Sequence, residues 1–336
     1  VVLCNKPNCL HDKELDETKK TNCNAFLITE DDLLLTTYNN YLYCYVGLDF
    51  LKAEWEPELI RISLDGSERK TVSVLEPNIT SMALHNEKLY YATTVISDDK
   101  EEAEKGIFKY SLKELDVFNK SAQAVEIDSG KGFSAIIHNI TPVGNKIRYV
   151  KYDFSDELGG GGEELVYDIK EKSIKLIAED INLKYAGSLT ISDGEYIFTP
   201  LRINNGNIEI DDYIYKSNIE TGSSEKLFKK DFSTLIHYSD DNYIYVDNIM
   251  EDDLEIKERK IVIYYKTGKK IDGIDIEGKY LQGSFIAGDD KYMFLRGRNE
   301  EGAYILYADK NKIGTEKIEW KILFEIESKY LDIGVR

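Results

Sequence analysis

The chain has 336 residues, 42% of them hydrophobic, which is enough for a sizeable core and too apolar for a disordered segment. Its 62 acidic residues against 43 basic leave a net charge of −19, which repels phosphate and anionic headgroups at long range and argues against nucleic acid as a partner. No apolar stretch approaches the ~20 residues that span a bilayer as a helix.

In chain order, residues 1–24 come first. They are polar, hold three of the four cysteines, and lose strand alternation after Leu3. They read as a Cys-rich strand and loop ahead of one large domain, residues 25–336. The sequence opens at Val1, and its first 25 residues carry no secretory signal. The expectation is an exported chain, mature or truncated, whose leader is gone.

Strands and turns dominate from Phe26. Leu33 to Thr37 is an apolar strand, Asn39-Asn40 a turn, and Tyr41 to Val46 a second strand. In Leu59 to Leu64, Ile60, Ile62 and Leu64 share one face. Asp65-Gly66-Ser67 turns the chain into Val72 to Leu75. The unit then returns. Its polar turns are Asn39-Asn40, Asn86-Glu87, Gly144-Asn145, Asp193-Gly194, Asp240-Asp241 and Asp289-Asp290. The apolar anchors after them are Leu42, Leu89, Ile147, Tyr196, Tyr243 and Tyr292, spaced by 47, 58, 49, 47 and 49 residues. A period of about 40–50 residues filled with short strands is the mark of propeller blades. The predicted fold is all-β: a single β-propeller of six four-stranded antiparallel blades, with seven blades as the alternative. Val1 to Leu3 and Tyr330 to Val335 are the strands expected to close the seam. Tyrosine, at 24 copies, suits such half-buried pleated surfaces. The polar stretches Asp98 to Lys105 and Gly159 to Gly162 read as solvated hairpin excursions. Residues 111–116 read as a short helical turn. Nothing supplies the helices of a doubly wound α/β fold.

Cys4, Cys9, His11 and Cys23 are the candidate metal ligands. Three thiolates and one imidazole complete a tetrahedral zinc shell, so a structural zinc is the candidate cofactor, although the spacing is not that of a standard finger. Disulfides are the alternative in an exported chain, and free thiols the third. Cys44, between Tyr43 and Tyr45, reads as a small buried hydrophobe. His85, His138 and His237 fall near the turns of three repeats, where they either converge or coincide by position alone. There is no Gly-x-Ser-x-Gly elbow and no His-Glu-x-x-His pair. Asp153, Asp156 and Asp211 are candidates for a glycosidase pair, selected from 62 acids without a further signal. Trp55, in Glu54-Trp55-Glu56-Pro57, is placed either to stack on a ligand or to cap its own loop.

The run Glu58-Leu59-Ile60-Arg61-Ile62-Ser63-Leu64-Asp65-Gly66-Ser67-Glu68-Arg69-Lys70 resembles the second half of a low-density-lipoprotein-receptor-type propeller repeat. The Tyr-Trp-Thr-Asp strand of that family is replaced by Leu42-Tyr43-Cys44-Tyr45 and Leu89-Tyr90-Tyr91-Ala92. Leu3-Cys4-Asn5-Lys6-Pro7-Asn8-Cys9-Leu10-His11, with Cys23-Asn24-Ala25-Phe26, is similar to a run in lipoprotein ectodomains of Gram-positive anaerobic bacteria that carry this kind of propeller. The resemblance implies six blades, export, a lipid anchor and a place on the bacterial cell surface, and it brings no catalytic residue with it. The expected role is extracytoplasmic binding or scaffolding by a monomer that recognises a protein, peptide or glycan. A hydrolase or lyase acting on surface polysaccharide is the alternative.

Overall fold

A computed structural model describes residues 4–6, 9–10, 23–24, 34–46, 57–153, 161–181, 185–192, 194–204, 207–229, 234–252, 255–275, 282–298, 302–316 and 318–327. Residues Val1–Lys175 form one compact unit and Leu176–Arg336 a second.

The first unit begins with β1 (Leu35–Tyr38), β2 (Tyr41–Val46), β3 (Glu58–Ser63) and β4 (Arg69–Val74), an antiparallel sheet in chain order. Next come β5 (Ile79–His85), β6 (Lys88–Ile96), β7 (Ile107–Leu115) and β8 (Val125–Phe133), then β9 (Ile136–Val143), β10 (Lys146–Asp153), β11 (Gly161–Asp168) and β12 (Ser173–Leu176). The second unit opens with β13 (Tyr185–Ser192), β14 (Glu195–Asn204), β15 (Asn207–Ile210), β16 (Tyr213–Asn218) and β17 (Ser224–Lys229). Here β15 and β16 both pair with β14, so they act as one interrupted third strand. Two further sheets follow: β18 (Thr234–Ser239) to β21 (Lys270–Asp275) through β19 (Tyr243–Asp252) and β20 (Glu255–Tyr265), and β22 (Gln282–Gly288) to β25 (Lys321–Glu327) through β23 (Tyr292–Arg298) and β24 (Gly302–Asp309). The protein is all-β, a six-blade propeller of four-stranded antiparallel blades. Each described blade uses strands consecutive in sequence. The seam predicted from residues 1–3 and 330–335 lies outside the described residues.

Local chemistry explains the turns between first and second strands. Asn39 and Asn40 have φ of 46° and 63°, and Asn86 and Glu87 have 48° and 64°. Two successive left-handed residues match the twist of a tight hairpin. The fifth and sixth blades use another device. Asp240 Oδ1 accepts from the amides of Asn242 and Tyr243, and Asp289 Oδ1 from those of Lys291 and Tyr292. The turn residues are therefore Asp241-Asn242 and Asp290-Lys291, one place later than the sequence suggests. Tyr243 and Tyr292 occupy the position of Tyr41, and the buried anchors equivalent to Leu89 and Ile147 are Ile244 and Met293.

The second strand of each blade carries much of the core. Tyr43, Leu59, Leu84, Leu89 and Tyr91 pack the first blade against the second. Ile197 and Ile214 meet Ile244 and Val262, while Tyr245 and Ile263 meet Met293 and Leu306. Buried tyrosines resolve their polar end by donating to carboxylates: Tyr90 to Glu114 at 3.1 Å, Tyr91 to Glu76 at 2.6 Å, Tyr149 to Asp128 at 2.8 Å. That pairing reconciles a tyrosine-rich core with an acidic chain, because a buried phenol needs an acceptor.

The local structure departs from the sequence reading at three places. Residues 111–116 are not helical, because they fall largely within β7, whose unbroken ladder to β6 holds them extended. The excursion Asp98 to Lys105 contains instead a helical turn, α1 (Lys100–Glu104), capped by Asp99 Oδ1 accepting from the Glu102 amide at 3.0 Å. Gly161 and Gly162 belong to β11 rather than to a hairpin tip. A Cβ on Gly162 would lie 2.5 Å from Val150 Cγ1 and 2.8 Å from the Tyr152 ring.

Candidate functional site

Among the described residues, two places gather chemistry, one in each unit. The first is the N-terminal cysteine cluster. The thiols of Cys4, Cys9 and Cys23 lie within 4.8 Å of one another. Cys4 and Cys23 are buried and Cys9 is half-buried. No disulfide joins any two of the three. The segment is held against the turn between β3 and β4. The carbonyl of Gly66, at φ 75°, accepts from the Asn5 amide at 3.2 Å and from Asn24 Nδ2 at 2.9 Å. Arg69 Nη1 donates to the Cys23 carbonyl at 3.4 Å. The Asn24 amide points at Cys4 Sγ, 3.4 Å away. Burial opposes ionisation of the Cys4 thiol, but the amides of Lys6 and Asn24 and the two neighbouring thiols outweigh it and bring it down to about 7.

His11, the fourth predicted ligand, lies outside the described residues. Cys44 stands apart, packed with Ile60 and Ile62 between Leu42 and Val46, as the sequence suggests. Burial pushes its thiol up to about 11.

The second place is a cavity of about 810 Å³ in the second unit, at the turns of the last two blades. Tyr238 and Tyr243 line it, with Asp241, Asn242, Asp289 and Asp290 at the turns and Asn311 and Thr315 beyond. Its floor is an ion pair. Lys310 Nζ donates to Asp240 Oδ2 at 2.6 Å, and the Tyr245 hydroxyl donates to the same oxygen at 2.9 Å. The Lys310 ammonium also lies 5.6 Å from the Tyr238 ring centroid and 5.7 Å from that of Tyr245. A Cβ on Gly288 would sit 2.8 Å from that ammonium, so the glycine leaves the lysine its path. Burial raises the Asp240 carboxyl, but Lys310 and the amides of Asn242 and Tyr243 outweigh it and hold it below the usual aspartate range. The Tyr292 and Lys291 amides do the same for Asp289. Both carboxylates are therefore fixed anions, suited to attracting positive charge rather than to donating a proton.

Among the described residues, His85, His138, Asp153 and Asp211 stand in separate settings. His85 ends β5 against Asn86 at 2.9 Å, whereas His138 sits mid-strand in β9 with its ring 6.3 Å from that of Tyr152. Their registers differ, so repeat position alone does not make them converge. His237 lies in β18 at a register shift between Ile236 and Tyr238. Asp211 is committed to its own turn, accepting from the Tyr213 amide at 2.9 Å and the Tyr215 hydroxyl at 3.3 Å. Asp153 ends β10 with its carboxylate over Gly132, where a Cβ would lie 2.4 Å from it. Asp156 and Trp55 lie outside the described residues. The cavity residues Tyr238 and Lys310 were not singled out by the sequence, although the paired aspartates of the two turns marked the place.

No protein-family model matches the chain, and no curated protein matches it. Solved structures do. The β-propeller domain of the trilobed protease from Pyrococcus furiosus superposes with a TM-score of 0.53 at 13% identity, over 88% of this chain and 84% of that one. An uncharacterized protein of Listeria monocytogenes EGD-e gives 0.55 at 10% identity, over 90% and 86%. A prolyl endopeptidase gives 0.57 at 12% identity over 87% of this chain, which spans 42% of that enzyme. At these identities the likeness is one of fold.

Proposed function

We propose that the chain is an extracytoplasmic binding or scaffold protein of the bacterial cell surface, a lipid-anchored monomer that recognises a protein, peptide or glycan. The observation that carries the reading is the cavity of about 810 Å³ in the second unit, which joins tyrosine rings to exposed aspartates. Rings supply apolar faces for a sugar or an aliphatic side chain, and fixed carboxylates supply attraction for lysine or arginine. Peptidases are among the structures that share the fold, so basic peptides are the first ligands to screen. Lipid anchoring and surface location rest on the resemblance of the N-terminal run and the first repeat.

The test is a peptide and glycan array followed by titration of each hit. Basic peptides are expected to bind, and the double variant Asp289→Asn/Asp290→Asn to weaken them by about tenfold, as for the loss of two partly solvated charge contacts. Asparagine at 289 keeps the acceptor that closes the turn. Hits indifferent to the double variant would remove the cavity from the reading. Incubation of each hit with the protein separates binding from catalysis, since a hydrolase or lyase would release product.

A further inference from the structure

The cysteine cluster has a geometry that the binding role does not use. We propose that Cys4, Cys9 and Cys23 are thiolate ligands of one zinc ion, which clips the N-terminal segment to the turn between β3 and β4. Three thiols meet at one point, all within 4.8 Å of each other. A tetrahedral zinc with Zn–S bonds of about 2.3 Å sets its sulfurs about 3.8 Å apart. The thiols therefore need to close by no more than about an ångström to hold the ion.

The surroundings fit a metal better than a disulfide. A bridge uses two sulfurs and would leave the third thiol crowded against it. Cys44 offers no second pairing, because it is walled in by Ile60 and Ile62. The Asn24 amide aimed at Cys4 Sγ at 3.4 Å is a sulfur acceptor contact of the kind that supports a thiolate ligand. On binding, three S–H protons leave to solvent and three S–Zn bonds form, so no oxidant or reductant is needed. The resulting single negative charge lies near the Arg69 guanidinium, which already donates to the Cys23 carbonyl at 3.4 Å. A neutral fourth donor, such as water, completes the tetrahedron. Zinc suits the site because it takes thiolates without a redox change, whereas harder cations prefer oxygen.

The ion would do mechanical work for the fold. The described part of this segment contributes little apolar surface of its own, and its amides Asn5 and Asn24 cover the Gly66 carbonyl. A metal that joins three points separated in sequence holds them together where no apolar core does.

The whole chain, purified without reductant or chelator, is the material for the test. Elemental analysis should find about one zinc per chain. Cobalt substitution should give a thiolate-to-cobalt charge-transfer band in the near ultraviolet. Cys9→Ser, at the most exposed ligand, should lose the zinc and the band, and Cys44→Ser should keep both. Chelation should speed amide exchange in the peptides containing Asn5 and Asn24. A zinc-free wild type that shows no cobalt band after reconstitution overturns the proposal, without any bearing on ligand binding in the second unit. A native disulfide between any two of the three cysteines also overturns it, as does loss of zinc from Cys44→Ser equal to that from Cys9→Ser. The cobalt reading is taken on the wild type, so a poorly folded variant does not leave the question open.

Discussion

Arg148 and Glu164 show how strongly one buried pair is tied to its partner. Arg148 Nη2 and Nε reach Glu164 Oε2 at 2.6 and 2.9 Å, and Nη1 donates to the Asn139 carbonyl at 3.1 Å. Burial pushes the Glu164 carboxyl up and Arg148 pulls it down, with burial ahead. Replacing one partner leaves the other charge buried alone. Arg148→Met is expected to cost about 3–5 kcal/mol in urea unfolding, and Arg148→Met/Glu164→Leu to recover most of it. An equal loss in the double variant would mean that shape, not charge, sets the cost. Asp168 gives a pH-dependent counterpart. Its carboxyl is lowered from 3.8 to about 2, chiefly by Lys146 Nζ at 2.7 Å and by the amides of Glu171 and Lys170. A lowered pKa stabilises the fold above the ordinary aspartate range, and that stability is lost as pH falls from 3.8 towards 2. Asp168→Asn keeps an acceptor for the turn amides, so its acid-unfolding profile should be flatter over that window and its neutral-pH stability lower.

Among elements, the hairpins were the most legible part of the sequence. Asn39-Asn40 and Asn86-Glu87 announce left-handed turns, and their strands begin where the apolar alternation does. Asn40→Val should cost about 1–2 kcal/mol in thermal or urea unfolding, because a β-branched residue resists φ of 63° there, while Asn40→Gly should be tolerated. The last two blades were misread by one residue, since an aspartate that closes a turn looks in sequence like one that makes it. The bulges were not legible at all. The first strands β5, β9, β13, β18 and β22 each shift register against the second strand of their blade. At the first of these, Thr80 Oγ1 donates across to the Ile137 carbonyl at 2.8 Å. No glycine or proline marks that place, so the strand patterns gave no cue to it. The cysteine crowding was visible, but its seat on Gly66 was not, because that contact joins residues far apart in the chain.

At the scale of the whole molecule, a net charge of −19 opposes compaction. The melting temperature should rise as sodium chloride is raised from about 10 mM towards about 150 mM, where the screening length falls to about 8 Å. A melting temperature that falls over this range would mean that paired charges such as Lys146 with Asp168 outweigh the net repulsion. The buried tyrosine–carboxylate pairs carry a different consequence. Burial, then the neighbouring acid, places the phenols of Tyr90, Tyr149 and Tyr245 well above the usual tyrosine range. An unfolded chain ionises them near pH 10, so stability drains away as pH climbs beyond that point. Alkaline titration followed by tyrosinate absorbance should thus rise in two stages: a gradual one from surface rings, then a steep one when the blades open. The protein carries its own optical reporter of unfolding, written in the residue that also fills its core.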